Sequence, residues 1–179
     1  MLSIRTHSCL KVALLASVMF SQHGVALEHE VAFSYGQPIE EQNIDIQKLE
    51  LSYFFPESNA VNSLPVYWYP VVNAGQLQTS AGSGTIAGGG LGLSWYLANQ
   101  FKIAVEGGMY YYDNFQFGEK GVAYKDYGGP WQFYYRIGPS YRFDKHARAG
   151  IAFQHISNGD RYNSNPAFDA YQVYFAYLF

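Results

Sequence analysis

Apolar and polar positions alternate with period two through most of this chain, the pattern of half-buried strands. In "FKIAVEGGMYYY" (Phe101–Tyr112), Phe101, Ile103, Val105, Met109 and Tyr111 share one face. Lys102, Ala104, Glu106 and Gly108 share the other. In "WQFYYRIGPSYRF" (Trp131–Phe143), Trp131, Phe133, Tyr135, Ile137, Tyr141 and Phe143 oppose Gln132, Arg136, Ser140 and Arg142. Pro139 removes one ladder hydrogen bond, so a bulge or a rim position is expected there. Eight segments read as strands: 30–37, 44–55, 65–76, 86–97, 101–112, 131–143, 146–157 and 169–179. Bulky aromatics on one face, with Lys, Glu, Arg and Gly on the other, suit a closed sheet with lipid outside and a narrow polar interior. The glycines of "GGGLGLSW" (Gly88–Trp95) fit such an interior. The fold expected is an all-β, eight-stranded antiparallel transmembrane β-barrel, whose closure pairs every backbone group as lipid demands.

The connections sort by side. Those at 56–64, 98–100 and 144–145 alternate with those at 38–43, 77–85, 113–130 and 158–168. With both termini periplasmic, the second set becomes the extracellular loops. Tyr110 to Tyr112 read as an interfacial aromatic belt. Arg136, Arg142, Lys102 and Glu106 read as interior ion pairs, and Asp113 and Asp126 as solvated loop charges.

Composition narrows the class. Aromatic residues make up 18% and charged residues 14% of the 179-residue chain, against about 25% charged in an ordinary soluble domain. The start reads as a secretory signal over residues 1–26. Arg5 and Lys11 precede the nine-residue apolar stretch Val12–Phe20, and "GVA" leads to a cleavage site after Ala26. The apolar stretch is too short to span a membrane. Residues 27–179 then form the barrel domain. Of 11 Lys+Arg, removal of Arg5 and Lys11 leaves 9 against 14 Asp+Glu, a formal charge of −5. That balance excludes a basic nucleic-acid-binding face. The one cysteine, Cys9, lies in the signal, so disulfides, thiol catalysis and cysteine metal sites are excluded from the barrel. A glycine run at Gly88–Gly90 without a following Lys is not a phosphate loop. No carboxylate cluster accompanies a lone histidine, so neither a metal nor another cofactor is expected.

The chemistry gathers near the end. Ile151, Phe153, His155 and Ser157 share the outward face of the seventh strand, and Asp169 shares that of the eighth with Tyr171, Val173, Phe175 and Tyr177. Strand direction places His155, Ser157 and Asp169 at the extracellular rim, where polar groups facing lipid are costly unless interfacial or functional. His155 is suited to take a proton from the Ser157 hydroxyl, with Asp169 fixing its tautomer. Asn158, the backbone amides of Asn158 and Gly159, and Asn165 are the candidate oxyanion and positioning groups. Arg161, Lys120 and Lys125 are candidate phosphate contacts, with plain loop solvation as the alternative. By residues alone this is a serine esterase acting on an outer-leaflet lipid. A non-catalytic barrel, a barrel enzyme for another lipid and a periplasmic lipocalin-like barrel stay open. The last needs an apolar interior, which Lys102, Glu106 and Arg136 oppose.

Two resemblances sharpen this reading. The ending "YQVYFAYLF", up to Phe179, resembles the C-terminal signature by which bacterial outer-membrane barrels meet their insertion machinery. The "HISN" segment at His155–Asn158, the barrel layout and the acid before the last strand resemble the lipid A 3-O-deacylases (PagL) of Gram-negative outer membranes. That resemblance implies hydrolysis of the 3-position acyl ester of lipid A, releasing a 3-hydroxy fatty acid. It maps the family's catalytic groups onto His155, Ser157 and Asp169, its oxyanion-side Asn onto Asn158, and a further polar loop position onto Asn165. The family's acid is often Glu, and Asp169 is one methylene shorter. Lipopolysaccharide is the implied partner, and self-association is left open.

Overall fold

A computed structural model describes residues 28–179; the expected signal segment, with Cys9, His7 and His23, lies outside the described residues. Eight long antiparallel strands form the wall: β1 (Glu30–Pro38), β2 (Ile46–Phe54), β4 (Val66–Thr79), β5 (Gly82–Ala98), β6 (Phe101–Tyr112), β9 (Trp131–Arg142), β10 (Ala147–Ser157) and β11 (Phe168–Leu178). A two-residue strand, β3 (Ser58–Asn59), adds to β4. A separate hairpin, β7 (Gln116–Glu119) with β8 (Ala123–Asp126), rises from the β6–β9 connection. Neighbours run β2-β1-β11-β10-β9-β6-β5-β4, and β2 pairs with β4 to close the barrel.

Alternation decides the faces. Leu91, Leu93, Val105, Ile137, Ile151, Val173 and Phe175 point out and are exposed, as lipid-facing residues of a transmembrane barrel are. Lys48, Glu50, Glu106 and Arg136 point in and are buried. Glu50 receives Lys48 Nζ at 2.7 Å, Arg136 Nη1 at 2.9 Å and the Tyr110 hydroxyl at 2.5 Å. Arg136 also pairs with Glu106, which accepts the Tyr69 hydroxyl at 3.1 Å. Nearer the end holding both termini, Glu57 accepts Lys102, Ser94 and Tyr96 at 3.0, 2.9 and 2.8 Å. Removing charges from water is tolerated only when they are paired and hydrogen-bonded like this. The close approach of Tyr69 to Gly92 and of Tyr134 to Gly90 explains why the inward glycines of β5 carry no side chain.

The opposite end is plugged by apolar residues. Ile44, Ile46, Leu77, Ile86, Tyr112, Phe117, Tyr127, Ile156 and Phe168 pack together there. Ile156 and Phe168 are the inward neighbours of His155 and Asp169, and both are fully buried. Each such burial stabilises by about 1.5–3 kcal/mol. That packing pins the parity of β10 and β11 and turns their polar residues outward.

Four expectations change. The loop expected at 77–85 is only a turn at Ser80–Ala81, because β4 and β5 stay paired as far as Thr79 and Gly82. Tyr110 and Tyr112 are not a belt: their parity turns them inward, and Tyr111 alone of the three faces out, edge-on to Trp131. Pro139 sits in neither a bulge nor a rim. The β9–β10 register is unbroken on either side of it, and the ladder simply lapses opposite Ile151 and Ala152. Arg142 is not interior; it grips Glu28 with two bonds of 2.8 and 2.9 Å at the terminal end.

Candidate active site at the loop end of the barrel

Strand pairing builds the site in rows. Tyr135 of β9, His155 of β10 and Asp169 of β11 are direct ladder partners, so they form one row across three strands. All three have outward parity. His155 Nδ1 lies 2.6 Å from Asp169 Oδ1, and His155 Nε2 lies 3.0 Å from Ser157 Oγ. The shorter acid reaches the imidazole because its Cα stands directly opposite that of His155. The pair is partly exposed at the outer wall, with side chains 27% and 39% exposed. Chemically, this is a hydroxyl beside a base whose far nitrogen faces a carboxylate.

Just after Ser157 the chain reverses through Gly159 and Asp160, with φ of 61° and 59°. A left-handed Asp is strained. Asn165 offsets this strain by donating to Asp160 Oδ1 at 2.8 Å. Asn165 Oδ1 also accepts the Asn158 backbone N–H at 2.9 Å. Asn158 is buried, and its Nδ2 donates to the carbonyls of Tyr127 at 3.0 Å and Ser164 at 2.6 Å. Both candidate oxyanion donors on Asn158, its side-chain amide and its N–H, are therefore engaged in holding loops together. Asn165 likewise clamps its own loop. Gly159 stays beside Ser157, where a Cβ would press on the Phe133 ring at 3.2 Å.

The three candidate cations part company. Arg161 lies over the ring of Phe133, 5.6 Å from its centroid, and Phe133 is the ladder partner of Ser157. Lys120 and Lys125 instead line an open cleft of about 620 Å³ between the 39–45 connection, the β7–β8 hairpin and the 158–167 loop. Glu40, Glu41, Asp126 and Asp169 share that cleft. Lys125 Nζ donates to Gln42 Oε1 at 2.7 Å, and partial burial holds its ammonium below the usual range although Glu40 opposes the shift. Asp126 is more than a solvated charge: it accepts from Gln116, Tyr124 and the Gly128 N–H. Asp113 accepts the Thr85 N–H at 2.6 Å. Among the described residues there is no group of three or more His, Cys, Asp or Glu side chains able to hold a metal.

Residue-type reasoning missed Tyr135, Tyr127 and Ser164. For Tyr135 a signal existed: the short β9–β10 connection fixes the register and puts residue 135 opposite 155. For the other two, long connections hide the partnership.

Comparison with known proteins bears on the fold and the family. Among solved structures, the outer membrane enzyme PagL superposes with a TM-score of 0.59 at 14% identity, covering 82% of this chain and 97% of the other. A de novo designed transmembrane β-barrel gives 0.53 at 11% identity, covering 86% of this chain and 96% of the design. The Yersinia pestis outer membrane protein Ail gives 0.53 at 10% identity, covering 86% and 100%. At such identities these likenesses speak to the fold. No curated protein matches the sequence. The family described as lipid A 3-O-deacylase (PagL) matches over residues 48–178, which is 131 of 179 residues and includes the whole Tyr135–His155–Asp169 row. The chain belongs to the lipid A 3-O-deacylase (PagL) family.

Proposed function

We propose that this protein hydrolyses the 3-position acyl ester of lipid A in the outer leaflet of a Gram-negative outer membrane, with Ser157 as nucleophile, His155 as base and Asp169 as the orienting acid. The observation that carries the reading is the Ser157–His155–Asp169 chain of contacts, 3.0 and 2.6 Å long, on the lipid-facing side of one barrel rim. Nothing about barrel stability calls for three polar groups there. A substrate whose acyl chains stay in the bilayer meets its ester-cleaving groups at that height.

With Nδ1–H donating to Asp169, Nε2 is left to accept the Ser157 proton as Oγ attacks the acyl carbonyl. Asp169 favours the imidazolium that forms. Collapse of the tetrahedral adduct expels the sugar 3-oxygen, which takes the proton back from Nε2. Water, deprotonated by His155, then releases the 3-hydroxy fatty acid from Ser157. The Gly159 backbone N–H is the proposed oxyanion donor, because Asn158 is spent on its loop contacts. Arg161, over the ring of the Ser157 ladder partner Phe133, is the proposed phosphate contact. Lys120 and Lys125, in the cleft behind Asp169, are a second cationic group for the sugar phosphates. Phe179 is the proposed recognition element for barrel insertion.

Purified protein in detergent micelles, given defined lipid A, tests the substrate. The expected product is lipid A lighter by one ester-linked 3-hydroxyacyl group, together with the free acid. Release of a secondary acyl chain, or no release by folded protein, contradicts the assignment.

A further inference from the structure

We propose that Tyr135 is a positioning residue for this reaction: its ring, stacked on His155, holds the imidazole on the Ser157 hydroxyl and favours the cation formed during attack. This rests on the catalytic reading of Ser157 and His155.

The imidazole has two contacts, to Asp169 Oδ1 and to Ser157 Oγ, and both lie at its edge. Edge contacts leave a partly exposed ring free to tilt out of their plane. A face contact removes that freedom, and one is present. Tyr135 and His155 ring centroids are 5.0 Å apart at an interplanar angle of 24°. The contact follows from the ladder, since Tyr135 is the β9 partner of His155 as Asp169 is its β11 partner. Tyr135 is itself supported. Phe153, two residues before His155 on the same face, packs against it at 5.9 Å and meets Tyr171 edge-on at 6.4 Å. On the opposite flank the β6 partner is Gly107. It has no side chain, and a Cβ there would meet only the Tyr134 carbonyl at 3.8 Å. Nothing on that side draws the ring away from the imidazole.

The contact acts where the reaction needs it. In the proposed reaction the His155 imidazole takes the Ser157 proton and so becomes imidazolium during attack. An aromatic face attracts a cation more strongly than a neutral ring. The stack therefore strengthens in the transition state and raises kcat rather than lowering KM. The ring face makes the contact, so the hydroxyl is dispensable.

Tyr135→Leu keeps an apolar side chain toward lipid and removes the stack. Tyr135→Phe keeps the stack. Tyr141→Leu, on the same strand and face but remote from His155, is the control for loss of an outward tyrosine. Each full-length protein is refolded in detergent, checked by its heat-modifiable gel migration, and assayed on lipid A. The rate of Ser157 labelling by a fluorophosphonate provides a second readout. Tyr135→Leu is expected to lose kcat by roughly 5- to 30-fold with KM unchanged, and to label more slowly in parallel. Tyr135→Phe and Tyr141→Leu should behave as wild type. Tyr135→Ile replaces Tyr135→Leu if the latter misfolds. Full kcat in the aliphatic variant, a change in KM alone, or equal loss in Tyr135→Phe overturns the proposal while leaving Ser157 chemistry intact. Wild-type protein that neither cleaves nor labels at Ser157 overturns the catalytic reading, and this inference with it.

Discussion

Replacing Asp169 by Asn tests the link between geometry and rate. Asp169 Oδ1 lies 2.6 Å from His155 Nδ1, so the carboxylate selects the tautomer with a proton on Nδ1 and a free lone pair on Nε2. An Asn at this position can turn its NH₂ toward Nδ1. That favours the opposite tautomer, in which Nε2 carries the proton and cannot take another from Ser157. In a buried triad the same change costs about 10⁴ in kcat. Here the two side chains are 27% and 39% exposed, and water screens the carboxylate and competes for Nδ1, so the expected loss is smaller. We expect about 10²-fold, which is roughly 2.7 kcal/mol of transition-state stabilisation. KM should not move, since Asp169 reaches the ester only through His155. Asp169→Glu keeps the charge and should retain most activity. Steady-state deacylation of lipid A in mixed micelles, with folded fraction measured on gels, reads all three proteins. Asp169→Asn at more than about one third of wild-type kcat would refute the tautomer argument.

Other consequences follow from the packing. Asn158→Ala removes two donated bonds, to Tyr127 and Ser164, each worth about 1 kcal/mol. Its 158–167 loop should be cut faster by protease in detergent, and kcat should fall although Asn158 touches no reacting atom. Glu50→Leu leaves Lys48 and Arg136 buried beside a single acid, Glu106, which should destabilise the barrel by about 3–5 kcal/mol in urea unfolding; the fraction that folds should keep normal kcat. Phe117→Ala withdraws the hairpin's anchor from the apolar plug and should cost about 3–5 kcal/mol at most, read as faster proteolysis between β7 and β8.

The barrel was readable because lipid imposes one rule on every strand. Lys102, Glu106 and Arg136 alternate with Val105, Tyr135 and Ile137, and that parity gives the faces. The grouping of His155, Ser157 and Asp169 at one rim was readable for the same reason: all three are polar on an outward register. Where the chain leaves the lipid band the rule stops. Gln78 and Thr79 read as loop because polar residues stand on both faces, yet they continue β4 as a strand. The β7–β8 hairpin was invisible because four-residue strands carry too little alternation, and its register depends on Phe117 finding a plug made by distant strands. The loop contacts of Asn158 are not legible from its place beside Ser157. Its partners Tyr127 and Ser164 come from two long connections that only tertiary packing brings together. The triple-tyrosine run was misread by treating neighbours alike when parity sends two of them inward.

In the proposed reaction a serine on the outer rim cuts an acyl ester of lipid A. Mass spectrometry of lipid A from paired cultures expressing the wild-type chain or Ser157→Ala, each inserted in the outer membrane to equal levels, tests it most directly. Loss of a single 3-hydroxyacyl group is expected with the wild-type chain and unmodified lipid A with the variant. Equal deacylation by both proteins, or identical unmodified spectra from both, would contradict it.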